Sequence, residues 1–257
     1  LLLLIFVRKN FRPILSIKIK ISKETKLFFR KLLPGIFSSG VSQIMIFVAT
    51  IIASFHAGAI SYLYYADRII QINLAIAGIA IGTVMLPELS KYVKNNSFDK
   101  INDLQNRSLE LCLFLSIPAA TASVIASDEI ITSLFGYGSF NSDSVINTAK
   151  TLTFFAFGLP AFAILKIFST YFFARNDTKT PFYLAVISIV LNIVISVSFF
   201  KKFGFIILPI AASISSWISV FFHYYFIKKR NLYNFDKTFI YKFPRIILSV
   251  VVMGIVL

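Results

Sequence analysis

The chain has 257 residues, of which 57% are hydrophobic and 14% charged, and its mean hydropathy is +0.80. A soluble domain carries about 45–50% apolar and about 25% charged residues, so an ordinary soluble domain is excluded. The net charge of +15 would suggest nucleic acid in a soluble chain; in a membrane protein it is expected in the loops of one side.

The apolar residues come in blocks of about 20, the length a helix needs to cross ~30 Å of hydrocarbon. They are continuous rather than alternating, which excludes a porin-like barrel. The fold predicted is all-α, a polytopic transmembrane helix bundle. In chain order, residues 1–7 are expected to end a preceding transmembrane helix. Arg8, Lys9 and Arg12 follow that apolar run, whereas a secretory signal carries its basic residues first. Residues 8–32 form a basic linker. Six complete spans are expected over about 33–56, 60–86, 108–127, 145–166, 182–200 and 204–227, with an incomplete one over 243–257. The chain therefore reads as a piece of a longer protein. Pro34-Gly35, Pro87, Pro181 and Pro244 fall where helices are expected to begin or stop. The single cysteine, Cys112, lies in an apolar block and allows no disulfide framework.

Loop charges orient these spans. Residues 8–31 carry nine basic side chains against Glu24 alone. Lys91, Lys94, Lys100 and Arg107 lie in 87–107, Lys166, Arg175 and Lys179 in 166–180, and Lys228, Lys229, Arg230, Lys237, Lys242 and Arg245 in 228–245. Twenty-two of the 26 Lys and Arg residues thus fall on alternate loops, which the positive-inside rule assigns to the cytoplasm. Asp128, Glu129 and Asp143 fall on the other side with Lys150, Lys201 and Lys202. The charge is topological, and no nucleic-acid partner is expected.

Two loops are long enough to hold structure. Residues 88–107 mix Tyr92, Val93, Phe98, Ile101 and Leu104 with charges, the pattern of a helix lying at the cytoplasmic interface. Residues 128–144 carry Gly136-Tyr137-Gly138, which reads as a turn; one G-x-G is weak support for a phosphate loop.

Within the spans, Asp67-Arg68 stands out. Arg68 lies about eight residues from the outer end, ~12 Å deep at 1.5 Å per residue. A central Arg costs ~2.5–3.5 kcal/mol on insertion scales, so it is expected to face protein or a wet cavity. Helical spacing puts Ser61, Tyr64, Arg68 and Gln71 near one face. That face could take an anion, since a guanidinium matches a pair of phosphate oxygens. The competing reading is structural, with Arg68 snorkelling to outer headgroups or pairing with Asp67. The ~100° between consecutive helical side chains disfavours that pair. Asn192, Ser196 and Ser198 could bind an ion or merely bridge helices. Gly78 and Gly82 form G-x-x-x-G, a close-packing signal. His56 and His223 have no acidic or thiol group at ligand spacing, so no metal site or other cofactor is expected. No HExxH, GxSxG or P-loop occurs, which favours transport over an enzyme.

The stretches LPGIFSSGVSQI and IIASF, then SYLYYADRIIQINLAIAGIAIGTVMLPELSK, LFGYGSF, FFAFGLPAFAILKIFSTYFFARNDTKTP and LNIVIS, strongly resemble the MurJ (MviN) lipid II flippases. That family belongs with the MATE exporters to the MOP superfamily and has fourteen helices in two lobes. The resemblance implies that residues 33–257 are a C-terminal transmembrane lobe of a two-lobed, MATE-like transporter, lacking its N-terminal lobe. It implies alternating access around a cationic cavity that moves lipid II, the undecaprenyl-diphosphate-linked peptidoglycan precursor, to the outer leaflet of the bacterial inner membrane, with roles in cell wall organisation and cell shape. By the same resemblance Arg68 and Ser61 line the cavity, with Asp67 and Gln71 beside them; Gln71 stands where some members have Glu. Asn192 fits the sodium site of some members. Ala49 and Ser196 stand where those members carry Asp, which argues against sodium coupling. Membrane lipids are further expected partners. A MATE-like small-molecule exporter and a non-functional remnant of a split flippase gene are the alternatives.

Overall fold

The computed structural model describes residues 46–234 and 236–257, with Ser22, Thr25 and Gln43 as isolated positions. The expected helix end at 1–7, most of the 8–32 linker and the first part of the 33–56 span lie outside the described residues. The helices are α1 (46–53), α2 (Ala59–Leu74), α3 (Ile81–Lys94), α4 (Phe98–Ile125), α5 (Ser127–Phe135), α6 (Ser142–Ala156), α7 (Leu159–Phe173), α8 (Lys179–Phe203), α9 (Ile207–Lys229) and α10 (Lys237–Val256). A π-helical turn, Ala75–Ala80, joins α2 to α3, and no strand occurs among the described residues.

Among the described residues, three stretches are long and apolar enough to cross a membrane: Ala59–Lys94, Phe98–Ile125 and Lys179–Lys229. The α6–α7 pair, bent by 43°, makes a fourth if counted as one span. The 51 residues of Lys179–Lys229 would reach roughly 75 Å if straight, more than twice the hydrocarbon thickness. Gly204, at φ +61, interrupts them. Ser188 Oγ donates to the Ser215 carbonyl at 3.3 Å, so α8 and α9 lie against each other as two legs.

The loops sort into two ends, as the charge pattern requires. At the basic end, the α7–α8 and α9–α10 loops meet the start of α4. Asn106 Nδ2 donates to the carbonyls of Asn102 and Asn234, and its Oδ1 accepts from Tyr233 Oη at 2.8 Å. Arg175 donates to the Tyr171 and Leu232 carbonyls, and Arg230 pairs with Asp177. At the opposite end, Phe205 packs on His56 and Tyr62, and Tyr65 on Phe135 and Phe140.

Residues 88–107 do not form an interfacial helix. α3 continues to Lys94 and α4 starts at Phe98, so the two helices run beyond the apolar blocks and turn tightly between. Tyr92, Val93, Ile101 and Leu104 pack into the bundle's own core beside Leu89 and Leu109 instead of onto lipid. Lys91 and Lys94 interrupt the hydropathy without interrupting the helix. Nor do Pro87 and Pro244 mark helix ends; both sit inside helices, as does Pro118. Membrane bundles tolerate this because neighbouring groups re-satisfy the freed backbone. Pro160, Pro181 and Pro209 lie in first turns, where an N–H has no helical partner to lose. In the 128–144 loop, Gly136 and Gly138 do form a turn between α5 and the Asn141 cap of α6.

Close approach is bought with small residues. A Cβ on Gly78 would lie 3.1 Å from Ala163 Cα, and one on Gly82 would lie 3.2 Å from Thr170 Oγ1, so the G-x-x-x-G face is where α7 packs. The α6–α7 bend is similarly tight. It leaves carbonyls without helical partners, and α9 supplies them: Ser213 Oγ donates to Phe154 at 2.7 Å and Trp217 Nε1 to Phe157 at 3.0 Å. A Cβ on Gly158 would meet Ser213 Oγ at 2.6 Å and Ser213 Cα at 3.0 Å. Gly158→Ala is therefore expected to cost about 1–3 kcal/mol through overpacking. The check is the thermal midpoint of the detergent-solubilised protein, and an unchanged midpoint would show that α9 can yield.

Asp177 caps α8 from the basic-end loop, accepting from the N–H groups of Lys179 and Thr180 and from the Thr180 hydroxyl. Burial alone would raise its carboxyl, but the Thr180 hydrogen bonds and the Arg230 guanidinium outweigh this and hold it below the usual carboxylate range. A depressed folded pKa contributes stability above the unfolded value of ~3.9, lost as pH falls through the folded value. Asp177→Asn is expected to cost about 1 kcal/mol at neutral pH, the pair being partly exposed. Thermal midpoints of the two proteins should converge on acidification; a gap that persists in acid contradicts the electrostatic account.

Candidate functional site

Asp67 and Arg68 sit in the middle of α2, one helical face of which is apolar and buried. Ala66, Ile69 and Ile70 enter a core shared with α4, α5 and α6, through Ala120, Ile131, Ala149 and Leu152. The other face looks into a cavity of about 340 Å³. α1 supplies Ile46, Ala49, Thr50 and Ala53 to its wall, and α2 supplies Ile60, Leu63, Tyr64, Asp67, Arg68 and Gln71. Phe155 of α6, Asn192 of α8, and Leu208 and Ala212 of α9 complete it among the described residues.

Two hydrogen bonds one helical turn apart organise the polar face. Arg68 Nη2 donates to Tyr64 Oη at 2.7 Å, and Arg68 Cζ lies 4.5 Å from the centre of the Tyr64 ring. Gln71 Nε2 donates to Asp67 Oδ2 at 2.8 Å. Asp67 and Arg68 form no ion pair; each bonds a residue four positions away on α2, as the angle between consecutive side chains requires. The cation keeps most of its five N–H donors unengaged by the described residues.

The structure thus brings Arg68, Asp67, Gln71 and Asn192 to one cavity. Ser61 is exposed on the same helix and is not among the cavity's lining residues. Ser196, one turn beyond Asn192, is fully buried, and its Oγ has no hydrogen-bond partner; it too lies outside the lining. No cluster of three or more His, Cys, Asp or Glu residues suited to a metal occurs among the described residues. The Asp67–Gln71 bond went unnoticed in the sequence, although the i,i+4 spacing was its signal. Phe155, Leu208 and Ala212 carried no signal at all.

A larger hollow of about 520 Å³ lies elsewhere, between α4, α7, α9 and α10. Its walls, including Leu113, Phe168, Trp217 and Phe243, are almost wholly apolar. It offers a charged group nothing to bind, so chemistry and not size selects the α2 cavity.

This all-helical bundle, with a largely apolar cavity walled by five helices, shares its fold with solved MOP-superfamily transporters. A structure described as the outward-facing conformation of a multidrug resistance MATE family transporter of that superfamily matches with a TM-score of 0.67 at 15% identity, covering 82% of this chain and 47% of that chain. More particularly, the family model described as lipid II flippase MurJ matches residues 1–257, and the chain belongs to that family. A solved lipid II flippase MurJ in an inward closed conformation matches with a TM-score of 0.78 at 29% identity, covering 98% of this chain and 52% of that one. The probable lipid II flippase MurJ of Rhizobium meliloti (strain 1021) is 35% identical over 222 residues, 86% of this chain and 42% of the relative. That of Rickettsia prowazekii (strain Madrid E) is 34% identical over 224 residues, 87% of this chain and 44% of the relative. The chain spans somewhat less than half the length of these curated relatives.

A wet α2 face predicts a labelling pattern. In membranes, a membrane-impermeant maleimide is expected to modify Gln71→Cys but not Ile70→Cys, which sits at 2% exposure. Cys112, at 0%, should stay silent in both. No labelling at position 71 would mean that the cavity is dry or closed, and labelling at 70 as strong as at 71 would mean that the Ile70 face is not packed.

Proposed function

We propose that this chain forms the C-terminal lobe of a lipid II flippase, which moves the undecaprenyl-diphosphate-linked peptidoglycan precursor across the bacterial inner membrane by alternating access. The observation that carries the reading is the guanidinium of Arg68 in an otherwise largely apolar cavity of about 340 Å³. A diphosphate leaving water needs fixed cations, and charge-assisted hydrogen bonds to a guanidinium are the strong ones. Arg68 is the diphosphate contact. Asp67 and Gln71 set the polarity beside it, and Ser61 lies on the path toward the outer end of α2. The second wall of the substrate site belongs to an N-terminal lobe, against which this lobe rocks as a body. Membership of the MurJ family supports the choice of substrate over that of a MATE-like drug exporter.

The test replaces the matching part of a full-length flippase with residues 33–257, in cells depleted of their own copy. The unsubstituted chimera is expected to restore growth and lipid II exposure on the outer leaflet. Arg68→Ala should abolish both at equal membrane levels, since losing charged hydrogen bonds of ~1.5–3 kcal/mol each weakens binding at least about tenfold. Rescue by Arg68→Ala would remove Arg68 from the substrate site. Altered drug resistance without a cell-wall phenotype would favour the exporter reading.

A further inference from the structure

Arg68 does not hold its place alone. A long side chain loses much rotamer freedom when it is fixed for binding, and a partner that fixes it beforehand removes that cost at the moment of binding. Tyr64 is built for this. It stands one turn earlier on α2, its hydroxyl accepts from Arg68 Nη2 at 2.7 Å, and its ring faces the guanidinium at 4.5 Å. The hydrogen bond engages one N–H, no other described residue hydrogen-bonds the guanidinium, and Tyr64 and Arg68 both line the cavity.

The neighbouring acid has its own restraint. Asp67 would be the natural competitor for Arg68, but its Oδ2 accepts from Gln71 at 2.8 Å. Gln71 is neutral, so this bond adds no second negative charge beside an incoming anion. The two hydrogen bonds run along adjacent strips of the helix, Tyr64 to Arg68 and Asp67 to Gln71, and keep cation and carboxylate apart. Tyr64 is 53% exposed and meets only the edge of its neighbour's ring, 5.9 Å away, whereas that neighbour, Tyr65, packs on Phe135 and Phe140.

We propose that Tyr64 is a positioning residue of the substrate site, acting through Arg68 by hydrogen bond and ring contact so that the guanidinium meets a lipid-linked diphosphate preorganised. The proposal rests on the flippase reading and adds to it a residue that determines specificity. A correctly aimed fork engages two phosphates, so Tyr64 acts on diphosphate more than on monophosphate.

The experiment is a double-mutant cycle on the chimeric flippase in lipid nanodiscs, titrated with undecaprenyl diphosphate and undecaprenyl monophosphate. Tyr64→Phe keeps the ring and loses the hydrogen bond, and should weaken diphosphate binding about threefold. Tyr64→Leu loses both contacts and should weaken it about tenfold or more. Monophosphate binding should change less in each case. In an Arg68→Ala background, Tyr64→Leu should add nothing, because its effect passes through Arg68. Several results overturn the proposal: an unchanged diphosphate affinity in Tyr64→Leu, an equal loss for both lipids, or a Tyr64→Leu effect that persists fully without Arg68, which would make Tyr64 a direct contact or a structural residue. The flippase reading fails separately, if Arg68→Ala itself leaves diphosphate binding unchanged.

Discussion

A guanidinium more than two turns inside a membrane helix is the constraint from which the site follows. On insertion scales it costs ~2.5–3.5 kcal/mol unless it meets protein or water, so α2 cannot present that face to lipid. The helix resolves this by dividing its surface. Ala66, Ile69 and Ile70 are committed to a core against α4, α5 and α6. The Arg68 side opens on a cavity that α1, α8 and α9 help to wall. Further along the same stretch, Gly78 and Gly82 let α7 approach to contact distance. Small residues thus fix where the helix stands, and the charged pair fixes which way it faces.

How much of this was legible depended on whether a residue's cost is the same in every environment. Arg68 is expensive wherever it is buried, so one residue and a count of turns were enough to single out its face. The alternation of basic loops was equally legible, because charge at a membrane boundary answers to sidedness rather than to packing; the cluster of Asn106, Arg175, Arg230 and Tyr233 at one end gives it a physical form. Phe155, Leu208 and Ala212 were illegible for the opposite reason. An apolar side chain looks alike in sequence whether it meets lipid, core or cavity. Ser61 marks the limit of periodicity: it shares the spacing of the Arg68 face, yet it is not among the residues that line the cavity, although its neighbour Ile60 is.

Helices that outrun the apolar blocks have a related cause. Hydropathy reports where a helix leaves hydrocarbon, not where it ends. α3 and α4 continue through Lys91, Lys94, Lys100 and Arg107 because Leu89, Ile101 and Leu109 still bury one side of each. Prolines misled in the same direction. In water a mid-helix Pro is costly, but a bundle in lipid must satisfy its backbone internally in any case, and it can do the same around a break. Ser213 and Trp217 of α9 show the device most directly, capping carbonyls at the α6–α7 bend.

The same economy operates inside the site. Every polar group that enters the α2 cavity needs a partner in the ground state, but a substrate site must also leave donors free for its ligand. Pairing Asp67 with Arg68 would satisfy both and bind nothing. Bonding each instead to a residue four positions away satisfies the carboxylate through Gln71 and only one corner of the guanidinium through Tyr64. Helical geometry makes this division nearly automatic, since consecutive side chains diverge by ~100° while those four apart align. An acid placed next to the cation in sequence therefore tunes the local field without quenching the charge that an anion must find. The larger apolar hollow between α4, α7, α9 and α10 has no such arrangement, and for that reason its greater volume carries no weight against the smaller, charged one.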